Sequence, residues 1–220
     1  MNLLALEFSS SQRSVAVLNA IPNGTTCFEV VETGGLGPLG MIEQALRNAG
    51  VEREQIERIA IGLGPGSYTG IRAAIALAQG WELASGVKLL GIGSDEALAE
   101  DARIQGIFGR VNIAIDAQRE HRFYLETFEV RQQGWQRVEA FHLVAREEAL
   151  LRLQAGETVL SPEAPKLRIG GSRLILPRAA ALATLAQGRT DFIPGENLSP
   201  IYLRQTAFVK APPPRQLPET

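Results

Sequence analysis

A glycine-rich corner is the segment of this sequence whose residues best suit ligand binding. It reads Gly64-Pro-Gly-Ser-Tyr-Thr-Gly70 and lies between a short apolar run typical of a buried strand and a longer apolar stretch at helical spacing. Glycine permits positive φ and close approach of another group, and Ser67 or Thr69 can cap the helix that follows. A phosphate at a helix N-terminus and a plain structural turn both fit this corner. The Gly-Lys-Ser/Thr ending of a Walker A loop is missing, and so is the Rossmann spacing.

Two carboxylates near the ends of predicted strands are the second candidate. Glu7 lies near the end of the first strand, and Asp116 ends a later one. Opposed acidic side chains can bind Mg²⁺ or activate a water molecule, but each residue also fits a solvated strand end. Together with the corner they define a candidate vestigial phosphate site, whose members are Glu7, Ser9, Gly64, Gly66, Ser67 and Asp116.

The histidines and the cysteine exclude several kinds of site. His121 and His142 are far apart, and neither H-x-x-x-H nor H-E-x-x-H occurs, which excludes a two-histidine helical metal site. The single cysteine, Cys27, cannot form an internal disulfide or a thiolate zinc cluster. No G-x-S-x-G nucleophile elbow is present. We therefore expect no metal site and no catalytic residue in this chain.

The stretch from Gly70 to Ser85 is predicted to be a helix with very little charge. Its only charged residues are Arg72 and Glu82, whereas an ordinary surface helix has a polar face. Two interpretations stay open: burial inside one large domain, or one face on the chain's own sheet and the other on a partner protein. Small residues would permit close helix–helix approach, and Leu77 with Trp81 would form a ridge of contact.

The elements that hold these residues indicate an α/β fold. The order of the predicted elements in the first half is β-β-β-α-β-α-β-α, which predicts a mixed sheet covered by helices. Ser94 is predicted to cap the third helix. The strands are predicted near 3–8, 15–18, 27–31, 59–63 and 89–92, and the helices over 39–49, 70–85 and 94–99.

The second half predicts another set of strands and helices. A strand over 111–115 is followed by a hairpin around Gln132-Gln133-Gly134, whose strands are His121 to Val130 and Trp135 to Leu143. Helices are predicted over 145–153 and 179–187, and the elements of 157–172 are not predicted. A boundary near residue 105 divides the chain into an N-terminal lobe, 1–105, a shorter C-terminal lobe, 106–210, and a proline-rich tail, 211–220.

The overall composition is that of an ordinary globular protein. The 220 residues are 45% hydrophobic and carry a formal net charge of −2. Without a broad basic field, this chain alone is not expected to bind nucleic acid strongly. The start of the sequence has no basic region and its apolar run breaks at Glu7, so it predicts neither a signal peptide nor a membrane span. A cytoplasmic location is expected.

Five segments, in order along the chain, resemble the bacterial TsaB (YeaZ) family. The most specific is Gly62-Leu-Gly-Pro-Gly-Ser-Tyr-Thr-Gly-Ile-Arg72. The resemblance runs across almost the whole chain and implies two RNase H-like lobes of the actin and sugar-kinase (ASKHA) superfamily. The other segments are Leu3-Leu-Ala-Leu-Glu-Phe-Ser-Ser10, Ser94-Asp-Glu-Ala-Leu98, Ile115-Asp-Ala-Gln-Arg119 and Pro200-Ile-Tyr-Leu-Arg204.

The resemblance implies a role in which this chain is not itself an enzyme. Proteins of this family are inactive relatives of TsaD, the metal- and ATP-site subunit that transfers a threonylcarbamoyl group to adenosine in tRNA. It implies binding to a TsaD-like subunit, joined by a TsaE-like ATPase, and also a homodimer. It implies no cofactor in this chain, ATP and a divalent metal held by partner subunits, contact with tRNA only through the complex, and no membrane.

The resemblance also implies where partners bind. In this family the helices before and after the glycine corner form the homodimer and TsaD-binding surface, here 39–49 and 70–85. The implied contact residues are Met41, Ile42, Ala45, Ile71, Ala74, Leu77, Ala78 and Trp81.

Three positions depart from the family pattern. Glu7 stands where the family has Asp, Phe8 where it has Thr or Ser, and Gln118 where its Asp-Ala-Arg has arginine. These departures argue against nucleotide binding by this chain alone. Two rival hypotheses remain: an ATP-binding small-molecule kinase or ATPase of the same fold, and a stand-alone homodimer.

Overall fold

A computed structural model describes residues 2–21, 24–119, 122–167 and 169–203 of the chain. The first half follows the predicted order β-β-β-α-β-α-β-α. Its elements are β1 Asn2–Glu7, β2 Arg13–Ile21, β3 Gly24–Glu32, α1 Pro38–Ala49, β4 Ile56–Gly62, α2 Tyr68–Ser85, β5 Lys88–Ile92 and α3 Ser94–Ile104.

The first sheet has the strand order β3-β2-β1-β4-β5. Strands β1, β2 and β3 pair antiparallel, and β1, β4 and β5 pair parallel. This is the mixed sheet that the sequence predicts. A hairpin can join its first strands directly, whereas the parallel strands need the helical crossovers α1 and α2.

The second half repeats the same topology. Its sheet has the order β10-β9-β6-β7-β8, in which β6, β7 and β8 are antiparallel and β6, β9 and β10 are parallel. The predicted α/β fold with two lobes is therefore confirmed, as is the hairpin around Gln132-Gln133-Gly134. The elements are β6 Gly109–Arg119, β7 Arg122–Arg131, β8 Gly134–Ala145, α4 Arg146–Gln154, β9 Thr158–Ser161, α5 Ala164–Leu167, β10 Arg173–Leu174 and α6 Ala179–Ala186.

Local signals explain where α2 and α3 begin and end. The Ser67 hydroxyl accepts a hydrogen bond from the Gly70 N–H, and Gly86 adopts a left-handed conformation after the last turn of α2. The prediction that Ser94 caps α3 is wrong, because Gly93 is the N-cap and Ser94 is already helical. The Ser94 hydroxyl is instead directed towards Glu7.

Helices cover both faces of the first sheet. Helices α1 and α2 lie on one face, where Met41 and Ile71 join a core with Leu4, Ile59 and Leu89. Helix α6 and Ala97 of α3 lie on the other face. The opposite side of α3 packs on the second sheet through Leu98, Ala99 and Ala102. Helix α3 is thus wedged between the two sheets.

The C-terminal part of the described chain returns to the first sheet. Helix α6 follows the second sheet in sequence, but its alanines and Leu182 pack against the first sheet. The segment after α6 also contacts the first lobe, since the N–H of Ile193 donates to Leu89 O at 2.9 Å and that of Ile201 to Leu63 O at 2.8 Å. The division into lobes of 1–105 and 106–210 stays a prediction. The proline-rich tail, 211–220, lies outside the described residues.

Within the described part of the chain, no helix combines the length and the apolar character needed to cross a membrane.

Candidate functional site

The carboxylate of Glu7 is enclosed at the end of β1. Its exposed fraction is 0%. The Ser9 N–H donates to Oε1 at 2.7 Å, and the Ser94 hydroxyl donates to Oε2 at 2.8 Å. A Cβ atom on Gly62 would lie 2.0 Å from Oε2, so this position has room only for glycine. Burial raises the pKa of Glu7, and the hydrogen bonds from Ser9 and Ser94 offset part of that rise. Glu7 therefore ties the start of the chain to α3.

The glycine corner is pressed against the same strand end. The Ser67 N–H donates to Ser9 O at 2.6 Å. A Cβ atom on Gly66 would lie 2.0 Å from Ser9 O, and one on Gly70 would lie 2.0 Å from Phe8 O. The space that a phosphate would need next to these glycines is filled by the chain's own backbone.

Gly64 joins the corner to α3. Its N–H donates to the Ser94 Oγ at 3.1 Å, and the Ser94 N–H donates to Gly64 O at 2.8 Å. The Gly64–Pro65 peptide bond is cis, and Gly64 has φ = 91°, a conformation that favours glycine. These contacts fix the direction in which the chain enters α2.

Five of the six candidate phosphate-site residues are brought together, and one is not. Glu7, Ser9, Gly64, Gly66 and Ser67 meet at the corner. Asp116 lies on β6 of the second sheet, where its N–H donates to Glu163 Oε2 at 3.2 Å. The described residues contain no group of three or more side chains that could hold a metal ion. The side chain of Gln118, and all of His121, lie outside the described part.

An open groove remains beside the corner. It has a volume of about 440 Å³ and is lined by Ser10, Ser11, Arg13 and Ser67 and by the loop 32–37. The N-caps of α1 and α2, Gly37 and Ser67, both border it, and neither helix has an acidic residue in its first turn. Helix N-termini attract anions, so this groove is the part of the structure that would favour a nucleotide or phosphate.

Six of the eight residues implied as partner contacts are in the chain's own core. Their side chains are 0 to 2% exposed and join the core on one face of the first sheet, so they offer almost no exposed surface. That they contact a partner stays a prediction. Leu77 and Trp81 are only partly buried, and both pack against the same core. The six buried residues are Met41, Ile42, Ala45, Ile71, Ala74 and Ala78.

The opposite side of α2 is exposed and almost free of charge. Leu83 is 88% exposed, and Leu39 at the start of α1 is 61% exposed. On α2, Ala76 and Gly80 are also exposed, and they link Arg72 to Leu83 at spacings of four, four and three residues. Sequence reasoning missed Leu39 and Leu83 because it did not assign the inward faces of the two helices. The β-branched residues Ile71 and Ile75 would have identified the inward face of α2.

A stack of three side chains lies at the N-terminal end of α2. The rings of Tyr68 and Tyr202 are stacked, with centroids 5.7 Å apart and planes at 24°. The guanidinium carbon of Arg72 lies 5.2 Å from the centroid of the Tyr68 ring. Tyr68 is 57% and Tyr202 48% exposed, so the stack is at the surface. Tyr68 and Tyr202 occur in two of the segments that resemble the family, but the sequence does not show that their rings meet, because the contact is long-range.

Buried acidic groups lie where α3 meets the two lobes. Arg137 on β8 donates to Asp95 Oδ2 and to Glu126 Oε1, both at 2.6 Å. Burial, and then the neighbouring Asp95, raise the pKa of Glu126 to about 9. On the other side of α3, burial raises the pKa of Asp101 to about 8, partly offset by Arg178. Periodicity in the sequence gives no sign of these pairs.

Comparison with known proteins agrees with this geometry. The family model described as TsaD, tRNA N6-adenosine threonylcarbamoyltransferase, matches residues 39–172. The tRNA threonylcarbamoyladenosine biosynthesis protein TsaB of Haemophilus influenzae is 28% identical, over 98% of this chain and 99% of its own length. The Escherichia coli protein of the same name is also 28% identical, over 98% of this chain and 100% of its own length.

A solved structure extends the agreement to three dimensions. YeaZ from Pseudomonas aeruginosa superposes with a TM-score of 0.75 at 26% identity, covering 92% of this chain and 99% of that one. The family model covers more than half of this chain, and the relatives match it almost from end to end. The chain therefore belongs to the TsaD family of proteins and, within it, to the TsaB (YeaZ) group.

Proposed function

We propose that this chain is a non-catalytic subunit that binds a TsaD-like protein and supports threonylcarbamoyl transfer to adenosine in tRNA. The names of its relatives place those proteins in tRNA threonylcarbamoyladenosine biosynthesis. The observation that carries the proposal is the exposed, nearly uncharged face of α2, which the described residues leave uncovered.

The composition of this face supports a protein partner. Leu83 on α2 is exposed, and Ala76 and Gly80 on the same stripe let another helix approach closely. The charged residue at the other end of α2, Glu82, is engaged by the Gly195 N–H at 3.0 Å. Contiguous apolar surface of this kind is typical of protein–protein contacts.

The enclosed corner supports a division of labour between subunits. Both oxygens of Glu7 accept hydrogen bonds within the chain, and the space beside Gly66 and Gly70 is occupied by the chain's own backbone. In the proposed complex, ATP and a divalent metal are held by the TsaD-like subunit and a TsaE-like ATPase. This chain contributes no cofactor and reaches tRNA only through the complex, which operates in the cytoplasm. The same α2 face would serve a homodimer of this chain.

Reconstituted tRNA modification tests the proposal. The TsaD-like and TsaE-like proteins of the same organism are incubated with tRNA, ATP and the threonylcarbamoyl precursors, and modified adenosine is measured by mass spectrometry. We expect modification only when this chain is added, and none from this chain alone. Activity of the partners that is unchanged by leaving this chain out would contradict the proposal.

Two variants separate the face from the corner in that assay. Leu83→Glu places a charge on the exposed face, and because the side chain is 88% exposed, folding is retained. We expect it to lower modification strongly, since burying the carboxylate against a partner is costly. Glu7→Gln keeps the volume of the enclosed side chain, and we expect the folded variant to support modification as the wild type does. The reverse ranking would favour an active-site role for Glu7.

The open groove beside the corner favours one alternative, an ATP-binding small-molecule kinase or ATPase of the same fold. Arg13 and two helix N-caps border that groove. Calorimetric titration of Mg-ATP into the isolated chain discriminates between the two functions. Binding in the micromolar range would favour the enzyme, whereas an absence of heat would favour the subunit.

A further inference from the structure

Arg72 is a cation on the exposed face of α2. Among the residues that the structure describes, it contacts the ring of Tyr68, 5.2 Å away, and has no carboxylate partner. Arg72 lies on the same stripe as Ala76, Gly80 and Leu83, one turn apart at each step. A partner that covers this stripe would also cover the guanidinium and remove it from water.

The aromatic stack holds Arg72 in place before any partner arrives. Tyr68 is stacked on Tyr202, with 5.7 Å between ring centroids, and the Arg72 guanidinium contacts the ring of Tyr68. A guanidinium over an aromatic face loses less freedom when it binds than an unrestrained side chain does. Tyrosine and arginine are also the residue types that dominate binding energy at interfaces.

A guanidinium that is removed from water is stabilised by a carboxylate, and both carboxylates on α1 and α2 already have contacts within this chain. Glu43 on α1 is paired with Arg53 at 2.8 Å. Glu82 on α2 accepts the Gly195 N–H at 3.0 Å. A second copy that docks through the same two helices would offer Arg72 only these two carboxylates. A different protein can present a carboxylate opposite Arg72 that has no such contact.

We infer that Arg72, held by the Tyr68–Tyr202 stack, binds a carboxylate of the partner protein and makes the α2 face selective for an acidic partner surface over a second copy of this chain. The inference rests on the proposed function, because it concerns the same face. It adds the chemistry that the partner must present at the N-terminal end of α2.

Calorimetric titration of the cognate TsaD-like subunit tests the inference with three variants. Arg72→Gln removes the charge, Arg72→Lys keeps the charge without the planar stack, and Arg173→Gln removes an exposed charge from the second sheet as a control. We expect Arg72→Gln to weaken binding about tenfold or more, Arg72→Lys to weaken it less, and Arg173→Gln to bind as the wild type does. The affinity of the wild type should decrease when the salt concentration is raised from about 0.05 M to about 0.5 M, and the affinity of Arg72→Gln should decrease less.

Sedimentation velocity of each chain alone supplies the second measurement. We expect Arg72→Gln to self-associate as strongly as the wild type or more strongly. If Arg72→Gln self-associates as much more weakly as it binds the TsaD-like subunit, the carboxylate comes from a second copy, and the inference is overturned. If Arg72→Gln binds the TsaD-like subunit as tightly as the wild type does, the inference is overturned but the proposed function is not. No binding by the wild type would overturn the proposed function, and the inference with it.

Discussion

The two lobes share one strand topology but differ most in the helix between their fourth and fifth strands. In the first lobe this helix is α2, with 18 residues, and in the second it is α5, with four. The turn before α2 contains Gly64 and Gly66, and Gly70 follows in the first turn of the helix, whereas β9 is followed by Pro162 and Glu163. A repeated fold therefore carries its long exposed helix on one lobe only.

The difference shows how one topology can be used in two ways. In the first lobe the chain turns tightly after β4, and its glycines lie against the residues that follow β1. Helix α2 then packs along the first sheet. The second lobe instead closes its turn with side chains, since the Glu163 N–H donates to Ser161 Oγ at 2.9 Å and its carboxylate accepts the Asp116 N–H. The lobes also exchange helices, because α3 packs on the second sheet and α6 on the first.

The largest effect on stability is expected from filling the close approach that is unique to the first lobe. A Cβ atom on Gly70 would meet Phe8 O at 2.0 Å, so Gly70→Ala should lower the free energy of unfolding by about 2–3 kcal/mol. Gly80 lies in the same helix with no atom within 4 Å of its added Cβ. Gly80→Ala should therefore raise stability by about 1 kcal/mol. Urea unfolding at low protein concentration compares the two variants. Equal changes in the free energy of unfolding would contradict the close contact between Gly70 and the Phe8 carbonyl.

Asp101 on α3, the helix that packs on the second sheet, makes the stability of the chain depend on pH. The folded chain holds the Asp101 proton up to a pKa of about 8, whereas the ordinary value is 3.8. Between these values the folded state binds a proton that the unfolded state has lost. The free energy of unfolding should therefore fall as the pH rises, by up to about 1.4 kcal/mol per pH unit from this group.

Asp101→Asn isolates that contribution. The amide cannot ionise, so the variant should lose less stability than the wild type between about pH 5 and pH 9. Glu126, whose pKa is also raised, contributes in the same direction to both proteins and cancels in the difference. Thermal unfolding across this range measures the two slopes. Parallel curves would mean that Asp101 is ionised in the folded chain.

The smallest effect concerns the cap of α2. The Ser67 Oγ accepts the Gly70 N–H at 3.3 Å, and Ser67→Ala should cost about 1 kcal/mol of unfolding free energy. Ser67→Gly should lower the free energy of unfolding by only a few tenths of a kcal/mol, because glycine leaves the Gly70 N–H accessible to water. Urea unfolding measures both variants. If Ser67→Ala and Ser67→Gly lower the free energy of unfolding equally, the loss comes from a disturbed corner and not from the missing cap.

Much of the fold could be predicted from the sequence because its signals are local. The strand and helix order of the first half, the hairpin around Gln132-Gln133-Gly134 and the helix after the glycine corner depend on periodicity and turn residues. The return of α6 to the first sheet could not be predicted, since it depends on contacts such as Ala179 with Ser14, which are far apart in sequence. Ser94 was misassigned as a cap for the same reason, because its partner Glu7 is 87 residues away.

The candidate site divides in the same way. The corner and Glu7 were identified from residue types, but only the structure shows that they enclose each other. Which face of α2 is exposed could not be predicted, because an almost uncharged helix gives little amphipathic contrast. Ala74 and Ala76 look alike in sequence, yet one is buried and the other exposed.

The most direct test of the account compares an exposed leucine from each lobe. Leu83 on α2 is 88% exposed and Leu151 on α4 is 63% exposed, so neither Leu83→Glu nor Leu151→Glu should unfold the chain. Both variants are titrated calorimetrically with the cognate TsaD-like subunit. We expect Leu83→Glu to bind about 100-fold more weakly than the wild type and Leu151→Glu to bind equally well. Wild-type affinity for Leu83→Glu, or a greater loss for Leu151→Glu, would contradict the assignment of the partner face to the first lobe.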